Sequence, residues 1–163
     1  MAIRGSQHFV SRCAGTSHRS YRTWTSACTR EHHARQPHIV LQSTIGSHNS
    51  HLHEYEIVLH RYGIPDDEWP STEPVIDERR VRLKPLIDDG LRRFAYLYDF
   101  VDHWEHSVKV EDLVPPTKGG PLIVCLAGEN ACPLEDVGGY PRSAEVTEAV
   151  QDPAHEEHAS MLR

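Results

Sequence analysis

Phe94-Ala95-Tyr96-Leu97-Tyr98-Asp99-Phe100, then Val101-Asp102-His103, then Trp104-Glu105-His106-Ser107-Val108-Lys109-Val110-Glu111 is the stretch from which the fold can be read. Successive side chains of a strand point to opposite faces. Phe94, Tyr96, Tyr98 and Phe100 therefore share one face of the first run. Trp104, His106, Val108 and Val110 share one face of the second, with Glu105, Ser107, Lys109 and Glu111 pointing outward. Two alternating runs with a short link predict an antiparallel hairpin. Facing aromatic and β-branched pairs each add ~0.2–1 kcal/mol beyond burial.

Working upstream, His51 to Leu59 alternates like a strand, with Leu52 opposite His53, Tyr55 and Ile57. Before it, Leu41 to Ile45 reads as the last turn of a helix, closed by Gly46 at the position where glycine adopts a left-handed backbone at least cost. Tyr62 to Asp67 reads as a turn or loop, carried on by Pro70 and Pro74. Val81 to Leu91 contains Pro85 and ends at Gly90, so a short strand, a loop and a helical turn all remain open. Downstream, Pro115, Pro116, Gly119 and Gly120 are expected to end the hairpin, and the short apolar run Leu122 to Leu126 reads as a buried strand or a buried extended segment. A compact loop runs through Gly128, Pro133, Gly138 and Gly139. The tail from Ser143 to Leu162 is helix-forming, with Pro153 opening a new helix behind Asp152 as its cap.

The chain of 163 residues is long enough for one ordinary domain with a core. At 38% hydrophobic residues and a mean hydropathy of −0.55 it reads as soluble. No run approaches the ~18 apolar residues of a membrane span. The net charge of −7 argues against a nucleic-acid binder that acts through the electrostatics of the whole molecule. That charge is uneven. Residues 1–40 hold Arg4, Arg12, Arg19, Arg22, Arg30 and Arg35 against the single acid Glu31, while the remainder is strongly acidic. Residues 1–40 show neither period. They read as a basic disordered arm that could bind DNA, as an organellar leader, or as an artefactual, mis-started segment, the last fitting the abrupt change of composition at Leu41. Cys13, Cys28, Cys125 and Cys132 follow no apolar leader, so a reduced, cytoplasmic setting is expected over a disulfide framework.

Three stretches carry a family likeness: Leu41 to Ile57; Phe94 to Glu111, around Tyr98-Asp99-Phe100-x-Asp102-x-Trp104-x-His106; and Cys125 to Gly139, around Gly128-Glu129-Asn130-Ala131-Cys132-Pro133-x-Glu135-Asp136. Asp152-Pro153-x-His155-Glu156-Glu157-His158 adds a shorter match. On these the chain resembles the plasmid pRiA ORF-three-like family. The resemblance implies a single α+β domain over residues 41–163, with helices packed on a mainly antiparallel sheet. It also implies association with mobile elements, as an uncharacterised transposon passenger that is resolvase-like (TnpR-like) in label. Departures are Ser47 for a usual Trp, Val101 for Gly and Leu134 for a second Pro. A helix before Leu41 and a closing segment beyond Leu162 are also lacking. If the hairpin link needs a positive φ, Val101 is strained there by ~1–2 kcal/mol. These departures read as a damaged copy, truncated at the C-terminus.

Imidazole and thiolate are zinc's preferred ligands, so His51, His53, His106, Cys125 and Cys132 are candidate metal ligands for a possible zinc. The alternative is sheet histidines with hydrogen bonds and a core cysteine. Asp99, Asp102 and His106 are candidate catalytic residues for acid–base work, against the commoner role of turn acids as acceptors of backbone N–H groups. The Gly128–Gly139 loop is neither a phosphate loop nor a dinucleotide fingerprint. No nucleophile elbow is present, and Arg79-Arg80-x-Arg82 reads as a solvated face. His155-Glu156-Glu157-His158 has its second histidine one residue too early for a metalloprotease helix. The leading expectation is a cytoplasmic, non-enzymatic accessory domain that binds a protein partner. The others are a metal-dependent or His/Asp-based enzyme and a DNA-recombination accessory.

Overall fold

The computed structural model describes residues 8–15, 23–29, 35–65, 74–114, 123–129 and 132–162. The expected hairpin is present as β6 (Arg93–Tyr98) and β7 (Trp104–Val114), antiparallel, with Phe94 opposite Val108, Tyr96 opposite His106 and Tyr98 opposite Trp104. Phe94, Tyr96, Tyr98, His106, Val108 and Val110 are buried, as the alternation requires. Phe100 departs from it. It lies in the turn and is half exposed.

That turn runs from Asp99 to His103 and explains the tolerance of Val101. The positive φ values fall on Asp99 (58°) and His103 (57°), not on Val101. Asp99 Oδ1 accepts the N–H groups of Val101 (2.9 Å) and Asp102 (3.2 Å), and its carbonyl accepts that of His103 (2.7 Å). Short acids tolerate the left-handed region because their side chains satisfy the local backbone.

β3 (His53–Ile57) pairs with β6, and β4 (His60–Gly63) pairs with β3. The strand expected to reach Leu59 thus stops at Ile57, and Tyr62, expected in a loop, is a buried strand residue. Val58 (φ 57°) and Leu59 (φ 116°) form a two-residue turn without the Asn-Gly chemistry by which such turns are recognised. β5 (Val75–Asp77) joins β4 in parallel and leads through a 3₁₀ turn (Glu78–Arg80) to α2 (Leu83–Asp88), which settles the open reading of Val81 to Leu91. Pro85 fits because the first turn of a helix has no carbonyl to receive its missing N–H.

β1 (His8–Gly15), β2 (Thr23–Thr29) and β8 (Ile123–Glu129) complete an eight-stranded sheet in the order β5-β4-β3-β6-β7-β1-β2-β8. Every pairing but β4–β5 is antiparallel. Of residues 1–40, read above as a disordered or artefactual arm, the described residues 8–15 and 23–29 are strands, and β1 lies between β2 and β7, paired to both. Backbone pairing of this kind needs no side-chain alternation, which is why the local pattern was silent.

α1 (Arg35–Ile45) corrects the expected lack of a helix before Leu41. Its inward stripe is His38, Leu41, Gln42 and Ile45, at the i, i+3, i+4, i+7 spacing of one helix face. Gly46 (φ 90°) ends it as expected. The core lies between α1, α2 and the sheet: Val40, Leu41 and Ile45 meet Tyr55, Ile57, Phe94, Tyr96 and Val108, with Leu83 and Ile87 from α2. α3 (Gly139–Gln151) and α4 (His158–Met161) follow. Pro153 does not begin a helix. Asp152 Oδ1 accepts the N–H of Ala154 (2.8 Å) in a turn, and α4 starts five residues after Pro153. The hairpin's expected ending at Pro115 to Gly120 lies outside the described residues.

Gly139 fixes how α3 meets the β6–β7 turn. Its φ is 75°, and an added Cβ would stand 2.9 Å from the Asp102 carbonyl oxygen, a backbone atom that cannot swing away. Gly139→Ala is expected to lower stability by about 1–3 kcal/mol through left-handed strain and overlap. Urea unfolding checks this, and an unchanged midpoint would show that α3 shifts without penalty.

Candidate metal centre and the adjoining cleft

Three segments distant in the chain converge at one end of the β6–β7 hairpin: the α1–β3 connection, the Asp99 turn and the loop before α3. Glu135 is the hub of that loop. Its carboxylate accepts from the Ser47 hydroxyl, the His48 N–H (2.9 Å), the Ser50 hydroxyl (2.9 Å) and the Tyr98 hydroxyl (2.9 Å). Burial alone would raise its pKa, but these four donors outweigh burial and hold it down to about 2. Glu135 is therefore an anion at neutral pH.

His51 faces this hub. Its Nε2 lies 3.3 Å from Glu135 Oε2, 3.3 Å from Asp136 Oδ1 and 3.6 Å from Asp99 Oδ2. That nitrogen is shielded from solvent and makes no hydrogen bond of acceptable geometry. The ligand atoms of His51, Asp99 and Asp136 all lie within 4.8 Å of one another. Four ligands placed tetrahedrally about 2.1 Å from a zinc-like ion stand about 3.4 Å apart. The observed nitrogen–oxygen separations bracket that spacing.

The expected metal set is not gathered in one place. His51 lies just before β3, not within it, so it and His53 enter different surroundings. His53 stacks on His38 with ring centroids 3.5 Å apart, and its Nε2 meets Glu78 at 2.9 Å. His106 packs against Tyr96. Cys132 is half-buried, and Cys125 is exposed on β8 at the sheet edge farthest from β5. Among the described residues, the one group of three or more such side chains at ligand spacing is His51, Asp99 and Asp136.

Of the candidate catalytic residues, Asp99 caps its turn through one oxygen and turns the other toward His51. Asp102 accepts the N–H of Gly138 (3.1 Å), and His106 is buried, its ring against Tyr96 and bordering the cleft described below. Asp136 and Glu135 were missed as site residues, although they stand as adjacent acids in a quoted motif; only their distant partners reveal the role. In the tail, His158 Nδ1 contacts the Ala149 carbonyl and His155 Nδ1 accepts from the Glu157 N–H, so both act locally. Arg79 pairs with Asp77 on an exposed face, as a solvated run would.

A second polar network, which sequence reasoning did not find, ties α1 to the sheet. Gln42 Nε2 donates to the Tyr96 hydroxyl (2.9 Å), and Tyr96 meets His38 Nδ1 (2.8 Å). His38 Nε2 bonds to Asn49 Oδ1, and the Asn49 N–H returns to Gln42 Oε1 (3.0 Å). Asn49 Oδ1 can only accept, so His38 donates to it from Nε2. This closed ring holds Asn49 in a left-handed conformation (φ 58°) and so places the following Ser50 and His51.

Beside His51, Asp99 and Asp136 lies a small cleft partly open to solvent. Ile45, Trp104 and His106 form one side, and Cys132, Pro133 and Leu134 the other, with Ser47, Tyr98 and Glu135 shared with the anionic hub.

The fold defines a class, an α+β protein with helices on a mostly antiparallel sheet. Within that class the chain belongs to the family described as plasmid pRiA4b ORF-3-like protein, whose family model matches residues 29–163. It is 46% identical over 127 residues to the uncharacterized protein y4hQ of Sinorhizobium fredii (strain NBRC 101917 / NGR234), covering 77% of this chain. The aligned part spans 63% of that relative's length. The crystal structure of MM3350, a protein of unknown function from Methanosarcina mazei Go1, shares the fold with a TM-score of 0.86 at 23% identity. That match covers 97% of this chain and 89% of the other. No helix among the described residues is long and apolar enough to cross a membrane.

Proposed function

We propose that this chain is a non-enzymatic accessory domain of plasmids and other mobile elements, organised around a divalent cation held by His51, Asp99 and Asp136. One observation carries the reading: a solvent-shielded imidazole nitrogen without a hydrogen bond faces three carboxylates at ligand spacing. One imidazole can neutralise at most one of three negative charges, whereas a divalent cation neutralises two and ligates the nitrogen as well. Imidazole with carboxylates suits zinc or manganese. A non-enzymatic role is supported by the commitment of nearby turn acids to structure: Asp102 to the Gly138 N–H, and Asp99 Oδ1 to the N–H groups of its own turn.

Calorimetry on chelator-stripped protein tests the cation. About one zinc or manganese ion per chain is expected, and His51→Ala and Asp136→Asn should each weaken binding at least about tenfold, the equivalent of ~1.4 kcal/mol. Asp136 is 78% exposed at its side chain, so its replacement leaves the fold intact. Binding of equal affinity in wild type and both variants would sink the site.

A further inference from the structure

The loop that brings Asp136 to the cation is also one wall of the cleft. Cys132, Pro133 and Leu134 face the cleft, Glu135 borders both cleft and site, and Asp136 follows at once. The other two ligands are on the body of the domain: His51 before β3 and Asp99 at the end of β6. A cation therefore meets three protein ligands when this loop is seated and two when it is displaced. We infer that the loop over residues 132–138 is a strap latched by the cation, so that metal occupancy controls access to the cleft. This rests on the metal reading above and adds its regulatory consequence.

The coupling follows from differential affinity. A ligand shifts an equilibrium between two conformations only by as much as it prefers one of them. Here the preference is one carboxylate ligand, Asp136, supplied by the moving part. In the stripped protein Asp136 and Asp99 still approach one another beside His51 Nε2, their ligand atoms within 4.8 Å, with no cation to join them. The seated loop is then held by the four donors on Glu135 and by the Gly138 N–H on Asp102. At its far end Gly138 (φ 93°) and Gly139 (φ 75°) anchor the loop to α3 and to Asp102. By linkage, whatever fills the cleft and is covered by the strap tightens the hold on the cation by the same factor.

Cys132 reports the strap directly, being half-buried on the cleft wall, while the exposed Cys125 on β8 serves as an internal control. Alkylation by iodoacetamide of the full, stripped chain is followed peptide by peptide, with and without saturating manganese, a cation with little liking for thiolate. Manganese is expected to slow modification of Cys132 about tenfold, within the usual range of couplings between sites. Cys125 should keep its rate. Asp136→Asn should abolish the slowing, and Glu135→Ala should accelerate Cys132 in the absence of metal. Calorimetric binding of manganese with no change at Cys132 would overturn the strap and leave the metal site standing. No manganese binding at all would overturn both.

Discussion

His53→Ala is expected to lower the stability of the domain by about 1–3 kcal/mol, the cost of leaving a buried hydrogen-bonding group without its partner. Glu78 is 1% exposed, and its carboxylate meets His53 Nε2 at 2.9 Å, itself on a side chain 4% exposed. Removing the imidazole leaves a carboxylate in the interior with its ring partner gone. It also removes one half of the His38–His53 stack and the edge contact on Tyr55. Glu78→Gln in the same chain should recover part of the loss, because an amide is less costly than an ionisable carboxyl to leave buried without its partner. Urea unfolding of the two single variants and the double variant measures that coupling, for which adjacent residues show ~0.5–3 kcal/mol. A loss under about 1 kcal/mol in His53→Ala would mean that solvent reaches Glu78 once the ring is absent.

This pair also shows where the sequence was legible. The hairpin could be read because Phe94, Tyr96, Tyr98, Val108 and Val110 bury apolar groups at strict alternation, with nothing but burial deciding their side. α1 could not be read before Leu41, because its inward stripe carries His38 and Gln42 where a pattern search wants aliphatic residues. Those two are buried by virtue of hydrogen bonds to Tyr96, a partner on another element. β1 and β2 were hidden for a related reason. Their places are set by register against β7 and β8, and a long-range backbone ladder leaves no local signature. The candidate site was half legible. His51 and Asp99 stood out as residues able to ligate or transfer protons, but nearness in the chain set His51 beside His53 on a strand and Asp99 beside Asp102 at a turn. The fold pairs His51 and Asp99 with each other and with Asp136 from a separate loop.

Glu135→Ala is expected to destabilise the chain by about 1–3 kcal/mol at neutral pH and hardly at all at pH 2. The full difference between the ordinary carboxylate value of 4.5 and about 2 in the folded chain corresponds to ~3 kcal/mol, and partial contact with solvent reduces it. The sign follows from the direction of the shift. A carboxyl whose folded pKa is depressed binds its proton more weakly in the native state, so its stabilisation is complete above the unfolded value. It is then lost as pH falls from about 4.5 toward about 2. The difference in unfolding free energy between wild type and Glu135→Ala should hold steady from pH 7 to about 5.5 and shrink below that. Chelator in every sample keeps cation occupancy out of the comparison. Glu135→Gln should fall between the two, since its one carbonyl oxygen can accept where two carboxylate oxygens did, while its amide NH₂ meets donors. A gap between wild type and Glu135→Ala as large at pH 3 as at pH 7 would show that packing, not the charge on Glu135, seats the loop.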